Sequence, residues 1–287
     1  MKTRHLVNLA LLFLVISLFW LNNRPLEEAT TVPLSTIKAT QIQQIRIERE
    51  NSDVILLKKT SDDGRWQLKA PIQGKANATR IALVLNLLSI ESVNQINIES
   101  IDNLEEFGLD PANTRLYLND QEFQFGTTEP LSKHRYVQYQ QTIHLIGDQI
   151  TPLLRANAAS FLDNHLFDSK HKIQSIQLPS LDENINNSII ISKENGYWKS
   201  DADKLTTDQI SEIVSQWQNA YALRVNSLSP QKTDKSIIIY FENSTEPLEM
   251  EFLVTKTEFI IYRQDLGLQF HFPIAIKQQF FSQIIPK

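Results

Sequence analysis

Asp163, His165, Asp168 and His171 are the side chains most suited to metal or acid–base chemistry, since carboxylates and neutral imidazoles are common cation ligands. Their spacing argues against one centre. His165 and Asp168 are three residues apart and His171 lies six from His165, so a continuous helix does not bring all four to one face. Lys170 and Lys172 stand among them, and the segment reads as a solvated junction. Lys133, His134 and Arg135 form a small basic patch ahead of Tyr136, suited to an anionic headgroup or an acidic partner, or else a solvated loop. Asp62-Asp63 and Glu105-Glu106 are adjacent pairs whose side chains point apart on a strand or helix, so neither forms a dyad. Trp66 and Trp198 could stack on a sugar or peptide, but a tryptophan at the same place in two similar segments reads as a core anchor. In Phe107-Gly108-Leu109-Asp110-Pro111, Gly108 is expected to end a short helix in a left-handed cap, and Asp110-Pro111 to turn the chain into a strand.

Nucleophile and metalloprotease motifs are absent: there is no Gly-x-Ser-x-Gly and no His-Glu-x-x-His. With no cysteine, thiol nucleophiles, zinc–thiolate sites and disulfides are excluded together. The 7 glycines are too scattered for a phosphate-cradling loop. No catalytic residue, metal ligand or cofactor is expected.

The elements that position these side chains begin with the N-terminal residues. Residues 6–21 are apolar except for Asn8 and Ser17, after Lys2 and Arg4 and before Asn22, Asn23 and Arg24. At about 1.5 Å per residue a helix of this run spans roughly 24 Å, close to a hydrocarbon core of about 30 Å once its ends are extended. Leu6, Leu9, Leu12, Phe13, Val15, Ile16 and Phe19 would face lipid, with Trp20 at the interface. The slight basic bias upstream favours a cytoplasmic N-terminus. A cleaved secretory signal is the rival reading, although the first small residues, Ala29 and Thr31, come late. Beyond Lys2 and Arg4 the chain has 26 basic and 33 acidic residues, a net charge of −7, with no basic cluster that suggests nucleic acid.

The rest of the chain repeats. Ile45-Arg46-Ile47, Val54 to Lys58 and Gly64-Arg65-Trp66 are answered by Ile176-Gln177-Leu178, Ile189 to Lys193 and Gly196-Tyr197-Trp198. The Gly-x-Trp triplets are offset by 132 residues. A helix follows each triplet: one capped by Asn77 with the stripe Ile81, Val84, Leu85 and Leu88, the other by Thr206 with Gln209 in a capping box and the stripe Ile210, Ile213, Val214 and Trp217. Period-two stretches then predict antiparallel strands, and short helices over residues 149–162 and 273–284 close each unit. Strands run together without alternating with helices, so the class is α+β, with a sheet and one main helix per unit. The expected organisation is a transmembrane anchor over 1–24, a tether over 25–40, a first repeat unit over 41–167 and a second over 172–287.

These residues resemble the bacterial family called domain of unknown function 4340. The resemblance rests on Trp66-Gln67-Leu68 with Ala70-Pro71-Ile72, residues 78–88, Phe107 to Pro111, Phe125-Gly126, Arg135-Tyr136-Val137, and Phe161-Leu162-Asp163 leading to Leu166-Phe167. Phe107 stands where the family usually has tyrosine, and the second unit keeps only Leu228 and Pro230 of that turn. The resemblance implies a single-pass protein of the bacterial cytoplasmic membrane with its body on the extracytoplasmic side. It also implies an envelope-protein partner such as an ABC-type transporter, and no assigned chemistry. A periplasmic module that binds lipid, glycan or peptide between its two units is the alternative.

Overall fold

The computed structural model of the protein describes residues 5, 12–17, 19, 32–181, 188–202, 205–229, 233, 235–242 and 244–281. Among them no helix is long and apolar enough to cross a membrane. Residues 12–17 and 19 are helical, and Leu12, Phe13, Val15, Ile16 and Phe19 are exposed. Leu6, Leu9 and Trp20 lie outside the described residues.

The body is mixed α and β, with two antiparallel sheets and few helices. The first sheet holds β1 (Val32–Pro33), β2 (Gln44–Arg49), β3 (Ile55–Lys59), β4 (Trp66–Ala70), β5 (Gly74–Lys75), β6 (Glu91–Asn97), β7 (Thr114–Leu118), β8 (Gln121–Thr128), β9 (Arg135–Tyr139) and β10 (Thr142–Ile146). Its strand order is β1-β6-β10-β9-β8-β7-β2-β3-β4-β5. The second holds β11 (Ile173–Pro179), β12 (Ser188–Glu194), β13 (Tyr197–Ser200), β14 (Arg224–Ser227), β15 (Ser236–Phe241), β16 (Leu248–Val254), β17 (Glu258–Arg263) and β18 (Leu268–Pro273), in the order β13-β12-β11-β15-β16-β17-β18-β14. Read from β4 and from β13, the two orders are the same: three meander strands, four hairpin strands, then the strand that follows the main helix.

Alternation builds the sheets. Ile45 and Ile47 of β2 are buried while Arg46 and Glu48 are not, and Ile237, Ile239 and Phe241 of β15 are buried between more exposed neighbours. The β12–β13 turn is Asn195-Gly196, with φ of 51° and 85°; two positive values make the primed turn that matches strand twist.

Each main helix starts on a side-chain cap. Asn77 accepts from the Arg80 N–H at 3.1 Å ahead of the helix Ala78–Leu85. At the helix Thr207–Gln218 the capping box is complete: Thr206 N–H donates to Gln209 at 2.8 Å, and Gln209 N–H to the Thr206 hydroxyl at 3.3 Å. Its stripe, Ile210, Ile213, Val214 and Trp217, is buried, worth about 1.5–3 kcal/mol per large side chain. Trp217 also stacks on Phe280 at 4.2 Å and donates its indole N–H to the Phe280 carbonyl at 3.0 Å.

The closing helices are shorter than the sequence pattern suggests. Over 149–162 the chain forms a helix at Thr151–Leu154 and a separate 3-10 turn at Ala158–Phe161. Asn157 breaks the run by capping the second piece, accepting from the Ser160 N–H at 2.9 Å. The second closing helix is Ile276–Phe280, and Ile284 lies outside the described residues.

The equivalence extends upstream of residues 41 and 172. Leu34 N–H donates to the Ile90 carbonyl at 2.8 Å, and Leu166 N–H, 132 residues on, donates to the Ala220 carbonyl at 2.9 Å. Leu34 and Leu166 are both buried. Val32 and Pro33, in the stretch expected as tether, pair with Ser92 and Glu91. Each sheet is thus led by a short segment docked beside the strand that follows its main helix. One hydrophobic core runs through both sheets.

Candidate functional site at the seam

The seam is built by the segment that leads from Phe161 into β11. One side of it bonds to the first sheet: Asn77 N–H donates to Phe161 at 2.7 Å, and Asp163 N–H to Lys75 at 2.8 Å. The other side bonds to the second: Ala222 N–H donates to Asn164 at 2.8 Å, beside the Leu166–Ala220 bond, with His165 bridged to Tyr221. Packing closes the joint. A Cβ at Gly74 would stand 2.7 Å from Leu162 Cδ2, too close without a shift of that side chain, and 3.4 Å from Leu268 Cδ1 of β18, an ordinary contact.

Charge is laid along the same line. Lys75 Nζ lies 2.7 Å from Asp163 Oδ2 and 3.7 Å from Asp168 Oδ2. Arg65 pairs with both Asp63 and Asp168. His165 Nδ1 is 2.7 Å from Asp163 Oδ1, and its ring meets Tyr221 edge-on at 4.8 Å. Arg263, buried, binds Asp265 through Nε at 2.8 Å and Nη2 at 2.7 Å, and donates from Nη1 to the Leu166 carbonyl at 2.5 Å. Burial alone would raise Asp163, but hydrogen bonds from Lys75 and His165 outweigh it and hold the carboxyl below its ordinary range. Asp168 is likewise lowered against its burial, by the Lys170 N–H, Arg65 and Lys75. Thr60 and then Arg65 hold Asp63 well below the carboxylate range.

Chemically this is a clasp. A carboxylate held ionised by a cation is a poor general acid near neutrality. The ammonium of Lys75 occupies the space that a cation shared by Asp163 and Asp168 would need. His171 donates its backbone N–H to the Asp168 carbonyl at 2.9 Å, and its ring sits against Phe241 at 5.3 Å. Among the described residues no three His, Asp or Glu side chains converge as a metal site would require. Asp163 and Asp168 are also not a freely solvated junction: their side chains are 14% and 21% exposed, shielded by partners about ninety to a hundred residues upstream. Two clefts flank the clasp. One, of about 420 Å³, has Leu68, Lys69, Gly74, Phe167, Arg263 and Phe270 in its walls; the other, of about 470 Å³, is bounded by Lys75, Phe167, Lys172 and Tyr221.

The other predicted residues serve the fold. Trp66 and Trp198 are half-buried against the core, and Gly64 and Gly196 turn their hairpins at φ of 67° and 85°. Gly108 caps a 3-10 turn at φ 66°, ahead of the Asp110–Pro111 bond. That turn and Gly126 are one feature. A Cβ on Gly126 would fall 2.1 Å from the Phe107 carbonyl oxygen, Thr127 donates to that oxygen at 3.1 Å, and Phe107 meets Tyr136 edge-on at 4.9 Å. Arg135 is buried beneath it, with Nε 2.6 Å from Asp148, Nη1 donating to Gly126 at 2.5 Å and Nη2 to Thr128 at 2.9 Å. The expected basic patch therefore loses one member: Arg135 is neutralised inside, and Lys133 stays exposed.

Sequence reasoning missed Lys75, Arg65, Arg263 and Tyr221, all brought to the seam over long separations.

Two antiparallel sheets of one strand order, with few helices and joined by a clasped segment, define a mixed α and β body. The chain belongs to the family described as Domain of unknown function (DUF4340), whose model matches residues 83–237, from the first main helix across the seam into β15. No curated protein and no solved structure matches the chain.

Proposed function

We propose that the protein is a non-enzymatic accessory of an envelope complex, such as an ABC-type transporter, held in the bacterial cytoplasmic membrane by residues 1–24 with its body on the extracytoplasmic side. The observation that carries this is the commitment of the seam's charges: Asp163, Asp168, Asp265, Lys75, Arg65 and Arg263 all hold partners within the protein. The seam so built joins two bodies, and its carboxylates, held ionised by cations, are poor general acids near neutrality. The shared strand order supports reading the body as a duplicated unit, which offers surface and sheet edges to another protein. The run at 6–21 supports the anchor.

A second reading, a module for lipid, glycan or peptide, is favoured by one observation. The cleft of about 420 Å³ between the units is lined by both apolar side chains, among them Leu68, Phe167 and Phe270, and polar ones, among them Gln67, Asp168 and Arg263, and small-molecule sites also combine the two.

Purification of the full chain from membranes in several mild detergents tests the first reading. It predicts a co-purifying protein at fixed stoichiometry, and recovery of the chain alone in every detergent contradicts it.

A further inference from the structure

The two repeats place the same kind of turn ahead of their tryptophans, with different reactivity. Asp63-Gly64 and Asn195-Gly196 are 132 residues apart, and they are the chain's single Asp-Gly and single Asn-Gly pairs. In such pairs the glycine nitrogen can attack the preceding side-chain carbonyl, since glycine has no Cβ to shield it, and asparagine is among the thermolabile residues. In the first turn both reacting groups are tied. Gly64 N–H donates to the Thr60 carbonyl at 3.2 Å. The Asp63 carboxylate accepts from the Thr60 hydroxyl at 2.6 Å and from the Arg65 N–H at 3.1 Å, and it pairs with the Arg65 guanidinium. A carboxylate held ionised in this way resists a nucleophile. In the second turn both groups are free. Strand pairing ends at Glu194 and Tyr197, Asn195 and Gly196 are exposed, and neither the Asn195 amide nor the Gly196 N–H has a partner among the described residues. A Cβ built on Gly196 meets nothing within 4 Å, so water and base reach its nitrogen.

We infer that Asn195 is a site of spontaneous covalent modification, its side-chain amide lost through a cyclic imide closed by the Gly196 nitrogen. Base removes the Gly196 amide proton, and the nitrogen attacks Asn195 Cγ. The N–Cγ bond forms, the Cγ–Nδ2 bond breaks, and Nδ2 leaves as ammonia after taking up a proton. Water, the only co-reactant, then adds to one of the two imide carbonyls and opens the ring. Breaking the new N–Cγ bond gives aspartate. Breaking the original peptide N–C bond gives isoaspartate, which routes the main chain through Cβ and lengthens it by one atom. Either product puts a carboxylate beside Glu194, which already holds Lys199 at 2.8 Å. Only isoaspartate also breaks the two-residue primed turn, whose twist needs both positive φ values. β13 is the last strand of its sheet, so the loosening falls on it and on Trp198, half-buried against the core. This inference is independent of the accessory reading.

The test incubates the purified full chain in mildly alkaline buffer, folded and in urea, and follows Asp63 and Asn195 by peptide mapping with fragmentation that separates aspartate from isoaspartate. Asn195 is expected to lose its amide from the folded chain at no less than about a tenth of its rate in urea, as a mixture of the two acids. Asp63 is expected to isomerise at least about tenfold more slowly folded than in urea. Backbone hydrogen exchange at Trp198 and Lys199 should rise in the isoaspartate form and stay unchanged in Asn195→Asp, which adds the charge alone. Loss at Asn195 slowed by folding beyond that limit, aspartate as the sole product, another asparagine reacting first in the folded chain, or equal Asp63 rates in the two states overturns the inference. Unchanged exchange in the isoaspartate form overturns the effect on β13.

Discussion

Lys75 Nζ stands 2.7 Å from Asp163 Oδ2, and the Lys75 carbonyl accepts from the Asp163 N–H at 2.8 Å, so one pair of residues joins the first sheet to the seam through both side chain and backbone. Lys75 is 42% exposed at its side chain and Asp163 14%, which makes the two halves of the pair unequal. Asp163→Asn should cost about 1.5–3 kcal/mol, the usual range for a hydrogen bond to a charged group. Lys75→Met should cost less, about 1 kcal/mol or under, because water screens the exposed ammonium. Urea unfolding of both single variants and the double variant would measure the coupling, and additive effects would contradict a direct pair.

Gly74→Val should destabilise the protein by about 1–3 kcal/mol, the range for overpacking, because a Cβ there meets Leu162 at 2.7 Å. Gly147→Ala is the matched control, since nothing lies within 4 Å of its added methyl. Equal midpoints for the two variants in thermal unfolding would show that residue 74 is not packed against Leu162.

Much of this was legible in the sequence, and the parts that were not share a cause. Period-two runs such as Ile237 to Phe241, and caps such as Asn77 and Thr206, signal locally, and the structure forms them where the pattern lies. β6 and β14 gave no such signal, because an edge or half-covered strand needs few apolar residues; β6 buries only Ser92. The helix pattern over 149–162 concealed the competing cap at Asn157. At the seam, Asp163 and Asp168 were visible as candidates, but their cations, Lys75 and Arg65, come from β5 and the β3–β4 turn, and spacing carries no information about partners so far away. Arg135 looked like a surface charge because its anion, Asp148, belongs to another loop.

Gly126→Ala should be the most damaging small substitution in the first unit. Its methyl would fall 2.1 Å from a backbone oxygen, that of Phe107, which cannot step aside as a side chain can. A loss of at least about 2 kcal/mol is expected, as for strained or overpacked sites. Differential scanning calorimetry of this variant against Gly147→Ala checks it, and a wild-type midpoint would show that the Phe107–Gly108 turn does not rest on β8.

Acid should act in two windows. Burial holds the His144 imidazole below its ordinary pKa of 6.5, and its Nδ1 has no partner among the described residues. A lowered histidine favours the fold above the unfolded value, so stability should fall as pH drops below 6.5, by at most about 1.4 kcal/mol per pH unit. His144→Leu should flatten that window. The lowered Asp163, Asp168 and Asp265 act later: their contribution is present above the unfolded value of 3.8 and is lost as pH falls through their folded values. Urea midpoints from pH 8 to pH 3 separate the two windows, and an unchanged slope between pH 6.5 and 5 in His144→Leu would refute the first.

The absence of native cysteine allows a direct test of where the body resides. Leu131, 92% exposed at the β8–β9 turn, can be changed to cysteine and challenged in intact cells, under conditions that open the outer envelope alone, with a maleimide that cannot cross the cytoplasmic membrane. Anchoring with the body outside predicts full labelling before lysis. Labelling that appears only after the cytoplasmic membrane is broken would contradict it.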